Sequence, residues 1–280
     1  MFFTMNTAPD GSHRFNNTKE FIEEINNFLH FTLNKNWAAE EWRKIETGHD
    51  FKQVHPLTVV AFKAYQQIQD FMSKDISGMT EEIFEISELA KKANVLKINA
   101  VVGLENRLKK LTSVNFEQYR SAKYEIQIAG RLLSAGYRVE FVEEGERKTP
   151  DILAFHMNEK CEVECKHKDP SADQIDYIRS IYNNTQTARK QFSKTCPGVI
   201  AIEIDNFHFQ QVSKEIERLA CEIIRALRSS RSISAILITS KVFSEDDADY
   251  VYRHLLKGFE NSNPRCYLPE WFKSIITITN

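Results

Sequence analysis

No stretch of the 280 residues approaches the roughly 18 consecutive apolar residues that a helical bilayer span requires. Met1 to Asn17 also lacks a basic segment followed by an apolar run, so the sequence carries no sign of secretion or membrane insertion. The five cysteines form no CxxC pair and no Cys/His spacing suited to zinc. That argues against a structural zinc module and points to a reducing cytoplasm. No Walker-type phosphate loop (GxxxxGKS or GxxxxGKT) occurs, which argues against an ATP-driven enzyme, and no Ser/His/Asp or Cys/His pattern offers a nucleophile. Internal repeats and low-complexity tracts are absent. A formal net charge of −2 gives no global attraction to a polyanion, so any nucleic-acid binding must come from local clusters.

What is present is the composition of an ordinary globular chain, 42% hydrophobic and 27% charged, long enough for one large domain or two smaller ones. Basic residues do cluster locally: Arg107, Lys109 and Lys110; Lys166 and Lys168; Arg189, Lys190 and Lys194; Arg225, Arg228 and Arg231. Each cluster by itself is also what a solvated helix face looks like.

Residues 1–17 are polar and read as a loose leader. From 18 to 112 the apolar period is helical, with Phe21, Ile25, Phe28 and Leu29, then Val59, Phe62, Tyr65 and Ile68, then Ile83, Ile86, Leu89 and Ala90. Four or five helices are expected there, with Trp37 and Trp42 as core anchors. After Ser113 helix and strand alternate. A helix over 115–135 should end at Gly136 in a left-handed cap, followed by strands over 137–142, 151–156 and 161–167. Next come a helix over 172–192, a strand over 199–204 buried on both faces, and a helix over 210–228. A strand over 233–239, a helix over 245–257 and a final strand over 274–279 complete the chain.

The most informative local pattern is Pro150-Asp151 followed by Glu164-Cys165-Lys166. Strict alternation puts Cys161, Val163 and Cys165 on one face of a strand, the core face, and Glu162, Glu164 and Lys166 on the other. Upstream, Glu125 shares a helical stripe with Ala122, Ile128, Ala129 and Leu132, so it points toward the packed side. A carboxylate buried there needs a compensating cation. Blander readings stand beside these: Glu125 extending to solvent, Asp151 as a turn-former after proline, and Glu164 with Lys166 as an exposed edge-strand ion pair. His156 and His167, near strand ends, read as structural rather than metal-binding. Glu162 reads as a spare ligand or a solvent-facing residue.

The succession helix, three strands, helix, strand between Asn115 and Ile204, with Asp151 opening one strand and Glu164-Cys165-Lys166 on the next, resembles the core of the PD-(D/E)xK nuclease superfamily. The resemblance covers about 90 residues, and the motif alone is short and degenerate. It implies a restriction-endonuclease-like fold, a mixed central sheet flanked by helices, within residues 113–280. The C-terminal part would be an α/β extension and the all-helical region over 18–112 a separate element. It also implies a catalytic set of Glu125, Asp151, Glu164 and Lys166.

Asp151, Glu164 and the backbone carbonyl of Cys165 would hold Mg²⁺ or Mn²⁺ through hard oxygen donors, and Glu125 would hold a second ion or an ion-bound water. Lys166 would orient water or stabilise charge at phosphorus. Polar and basic residues on the following helix, Gln186, Arg189 and Lys190, together with Lys168, would approach a phosphate backbone. The expected function is metal-dependent phosphodiester hydrolysis with DNA the favoured partner, in restriction or phage defence. An RNA-directed nuclease and a catalytically inactive binding protein of the same fold are the alternatives. The N-terminal helices would bind a partner protein, a second copy or the substrate.

Overall fold

In the computed structural model, the described residues are 3–7, 13–16, 18–74, 81–143, 145, 149–167, 177–204, 216–246 and 249–277. The chain divides into two compact units, Met1–Arg131 with Phe243–Arg253, and Leu132–Val242 with His254–Asn280.

The first unit is built mainly of helices. The stretch that reads as a leader carries two antiparallel strands, β1 (Phe3–Thr7) and β2 (His13–Asn16), and β2 pairs through His13 with Tyr252. Helix α1 (Thr18–Asn27) continues into a π-helical turn, Phe28–Asn34. Asn34 then caps α2 (Lys35–Glu46), its Oδ1 accepting the N–H of Asn36 at 2.9 Å. Helix α3 (Pro56–Lys74) starts on a proline, which needs no N–H at that position. Helix α4 (Glu81–Ile98) opens on Glu81 and Glu82, favourable at the positive end of the helix dipole. Helix α5 (Leu104–Leu111) follows Gly103, whose φ of +78° lies in the left-handed region. Among the described residues, these five helices match the four or five expected before residue 112. Trp42 packs edge-on against Phe62 and Tyr65, and Trp37 against His55.

Helix α6 (Phe116–Ser134) begins where Asn115 Oδ1 accepts the N–H of Glu117 at 3.0 Å. It ends as its sequence predicts. Gly136 takes φ +90° and its N–H reaches Leu133 O, while Tyr137 N–H reaches Leu132 O.

Among the described residues, a mixed open sheet runs through β3 (Arg138–Phe141), β4 (Ile152–His156), β5 (Glu159–His167), β6 (Gly198–Glu203), β7 (Ala235–Asp246) and β8 (Asp249–Glu260) in the order β8-β7-β6-β5-β4-β3; β3 to β6 lie in the second unit, while residues 243–246 of β7 and 249–253 of β8 belong to the first. Strands β3, β4 and β5 are antiparallel neighbours; β5, β6 and β7 are parallel. Parallel neighbours need crossovers, and α7 (Tyr177–Ala188) and α8 (Ile216–Arg228) lie in the two connections. Ile200, Ile202, Ile236 and Ile238 form one face of the sheet and pack with Ile181, Ala188, Ile223 and Leu227 of these helices. Strand β6 is buried on both faces, as its unbroken apolar run demands.

Two expectations fail at the C-terminal end. Residues 245–257, expected as a helix, lie mostly in β7 and β8. The segment mixes aromatic and β-branched residues over too short a span for periodicity to separate helix from strand. Conversely, residues 274–277 of the strand expected over 274–279 belong to helix α9 (Glu270–Thr277), and 278 and 279 lie outside the described residues. The overlooked signal is its start. Pro269 offers its carbonyl to the N–H groups of Phe272 and Lys273, with Glu270 in the first turn.

Glycine is obligatory at residue 198. A Cβ there would lie 2.6 Å from Phe192 Cγ and 2.7 Å from the Ser232 carbonyl oxygen. Gly198→Ala is therefore expected to lower stability by about 1–3 kcal/mol, read as a shift in the urea unfolding midpoint with unchanged slope.

Candidate functional site

Asp151 is held from three sides. Its carbonyl accepts the N–H of Val142 at 3.0 Å, its N–H donates to Val163 O at 3.1 Å, and its Oδ2 accepts the N–H of Cys165 at 2.7 Å. The side chain thus takes a β5 donor lying beyond the start of β4. The ladder also explains why two carboxylates meet. Ile152 faces Val163, so one step further Asp151 comes level with Glu164, and directly opposed residues of an antiparallel pair share a face.

Glu164 is 1% exposed and pairs through Oε1 with the Lys166 ammonium, two residues along the same face. Its Oε2 is buried and meets no hydrogen-bond donor. Glu164 also lies within hydrogen-bond reach of the Asp151 carboxylate, a contact that requires a shared proton or cation. Burial, then the Asp151 charge, push the Glu164 carboxyl up to about 8 against the opposing pull of Lys166. For Lys166, burial works against the ammonium, but the Glu164 and Asp151 charges outweigh it and raise its pKa. The Glu164–Lys166 pair therefore lies on an interior strand, with Glu164 buried and Lys166 half-buried, and is not an exposed edge pair.

The division of β5 into a core face and an open chemical face does not hold, since both faces are covered. Cys161, Val163 and Cys165 are buried as expected, but so are Glu162 and Glu164. Glu162 is not solvent-facing. Its Oε2 accepts the N–H of Ser193 at 2.7 Å, in the turn after α7. His156 packs against Tyr137 and Trp271. His167 holds Glu203 through Nδ1 at 2.7 Å, and Glu203 also pairs with Lys241.

Glu125 lies in the first unit, on α6, and is 3% exposed. The cation that compensates it there is Arg107 of α5, itself 2% exposed, and Ser121 Oγ donates to Glu125 Oε1 at 3.0 Å. Burial of Glu125 therefore does not by itself demand a metal. Arg107 was legible as more than part of a basic cluster, because it shares the helical stripe of Leu104, Leu108 and Leu111.

Gln186 sits in the last turn of α7, while Arg189 and Lys190, expected on that helix, lie in the turn after it; all three are in the same unit as Asp151, Glu164 and Lys166. The Gln186 amide donates to Ser229 Oγ at 3.2 Å. Lys168 lies outside the described residues.

Among the described residues no group of three or more His, Cys, Asp and Glu side chains could hold a metal ion. Asp151 and Glu164 nevertheless suit a hard divalent cation that keeps most of its waters. They are two oxygen donors brought together under burial, one oxygen lacks a donor, and their mutual repulsion would be relieved by a cation. No helix among the described residues is long and apolar enough to cross a membrane. No family model matches this chain, and no curated protein matches it.

Proposed function

We propose that this chain is a metal-dependent nuclease of the PD-(D/E)xK type, with a restriction-endonuclease-like core in the second unit, hydrolysing phosphodiester bonds in DNA. The observation that carries the reading is the convergence of Asp151, Glu164 and Lys166 at adjacent points of β4 and β5. Asp151 and Glu164 would hold Mg²⁺ or Mn²⁺, with the Cys165 carbonyl as the proposed backbone donor. The ion would supply Lewis-acid polarisation of a phosphate oxygen and a water of lowered pKa.

The protein's own contribution is orientation and charge. Asp151 is fixed by its backbone and by Cys165 N–H, so it needs little rearrangement to act as a ligand. Lys166 has three donors and spends one on Glu164, leaving two for a phosphate oxygen or the attacking water.

The test is incubation of the purified protein with single- and double-stranded DNA and RNA, in Mg²⁺, Mn²⁺ or EDTA, alongside Asp151→Ala and Lys166→Ala. Cleavage is expected in Mg²⁺ or Mn²⁺ and absent in EDTA. Each variant should lose at least about 10²–10³-fold in rate, the scale of removing one positioned electrostatic group. Equal cleavage by both variants would sink the proposal. Absence of cleavage by the wild type on every substrate would favour a non-catalytic binding protein.

A further inference from the structure

Three segments distant in sequence and devoid of acidic residues converge at one end of the second unit. They are residues 177–202, 223–244 and 261–269. Hydrogen bonds tie their basic ends together. Ser232 Oγ donates to Arg189 O at 3.2 Å, Gln186 reaches Ser229, Arg265 N–H donates to Arg231 O at 2.6 Å, and Cys266 Sγ donates to Lys194 O at 3.8 Å. Asn261 fixes the junction, its amide donating to the carbonyls of Leu227, Ser230 and Ile233.

The consequence is a single basic surface. The first segment brings Arg189, Lys190 and Lys194, the second Arg225, Arg228 and Arg231, the third Arg265. All but the half-buried Arg189 are exposed. Among the described residues, the one ion pair these side chains make is Arg225 with Glu222, at 3.6 Å. Part of the cluster has a local explanation: Arg225 and Arg228 occupy the last turn of α8, and Arg189 follows α7, where cations complement the helix dipole. That explanation does not reach Lys194, Arg231 or Arg265, which lie outside helices.

We infer that this surface binds the phosphate backbone of duplex DNA. The choice of partner rests on the nuclease reading; the surface itself does not. Five of the seven cations are arginine, the side chain whose planar fork matches a phosphate. One exposed aromatic, Tyr267, stands beside Arg265, too few for a base-stacking groove, so the composition favours backbone over single-strand contacts. Glu164 faces Ile200, two residues, or about 7 Å, into β6 from Gly198, whose carbonyl accepts the N–H of Ser234 beside the cluster.

The experiment is equilibrium binding of full-length protein to a duplex of random sequence in EDTA, across a salt series. The patch variant is Lys190→Ala/Arg228→Ala/Arg231→Ala/Arg265→Ala. The control, Arg138→Ala/Lys257→Ala/Lys273→Ala, removes charges of the unit that lie outside the three segments. The patch variant is expected to lose about tenfold or more in affinity at low salt and to flatten the salt slope by about 3–4. The control should keep the wild-type slope, and circular dichroism should show both folded.

Equal loss in both variants, no loss in the patch variant, or wild-type binding confined to single strands or anionic vesicles would overturn the inference. Patch-dependent duplex binding without cleavage in Mg²⁺ would leave the surface standing and remove the nuclease reading. Cleavage with patch-independent binding would do the reverse.

Discussion

Glu164→Gln is expected to make the protein more stable and to abolish Mg²⁺-dependent cleavage in the same step. The folded carboxyl is raised from 4.5 to about 8 by burial and by the Asp151 charge. The folded state therefore holds a proton that the unfolded state releases. Stability from this group is fully present below about pH 4.5 and lost as pH climbs to about 8. Glutamine keeps the shape, cannot ionise, and can donate to Asp151. It should leave stability near pH 4–5 little changed and raise it at pH 8 and above, by on the order of a few kcal/mol.

Thermal melts at pH 5 and pH 8.5 check the sign. Mg²⁺ supplies a second readout: at about 100-fold above its Kd it should stabilise the wild type at pH 8.5 by roughly 2.7 kcal/mol and Glu164→Gln far less. A variant that melts lower than wild type at pH 8.5 would contradict the account of Glu164. Exchange of stability for function is what a site built on two repelling carboxylates entails.

The second large effect concerns Arg107 and Glu125. Arg107→Ala and Glu125→Ala each remove one member of a buried ion pair and should each cost about 3–5 kcal/mol. Arg107→Met/Glu125→Leu removes both charges and should recover most of that loss, because apolar replacement of a whole buried pair is often neutral or better. Urea unfolding of the three variants tests the coupling; additive losses in the double variant would refute it. Cleavage by the folded double variant then assigns Glu125. Retained activity makes it a structural anion.

The local signals in the sequence carried far. Gly136 announced the end of α6, the apolar run of β6 announced a strand covered on both sides, and alternation in β5 placed Glu164 with Lys166. What alternation could not supply was burial of the second face. That depends on the turn after α7 folding back so that Ser193 meets Glu162, a contact across 31 residues. Arg107 and Glu125, 18 positions apart in sequence, could each be read as facing a core, but nothing local says it is the same core. The basic segments are a third case. Each is unremarkable alone, and only the hydrogen bonds around Asn261 make them one surface. At the C-terminal end, the mixed character of residues 249–260 and the β-branched end of α9 misdirect local propensity, which tertiary context overrides.

The β4–β5 hairpin has a kinetic consequence. Asp151, Glu164 and Lys166 belong to one continuous stretch of chain, so hairpin closure alone, a microsecond-scale event, brings the two acids level. Burying them takes longer. Strand β6 must return across α7 to lay Ile200 beside Glu164, and such long-range parallel pairing is intrinsically slow. Until it docks, both carboxylates remain hydrated and their repulsion is mild. The opposition between them is therefore met when the sheet closes, and a divalent cation present during refolding should accelerate that last step rather than the first.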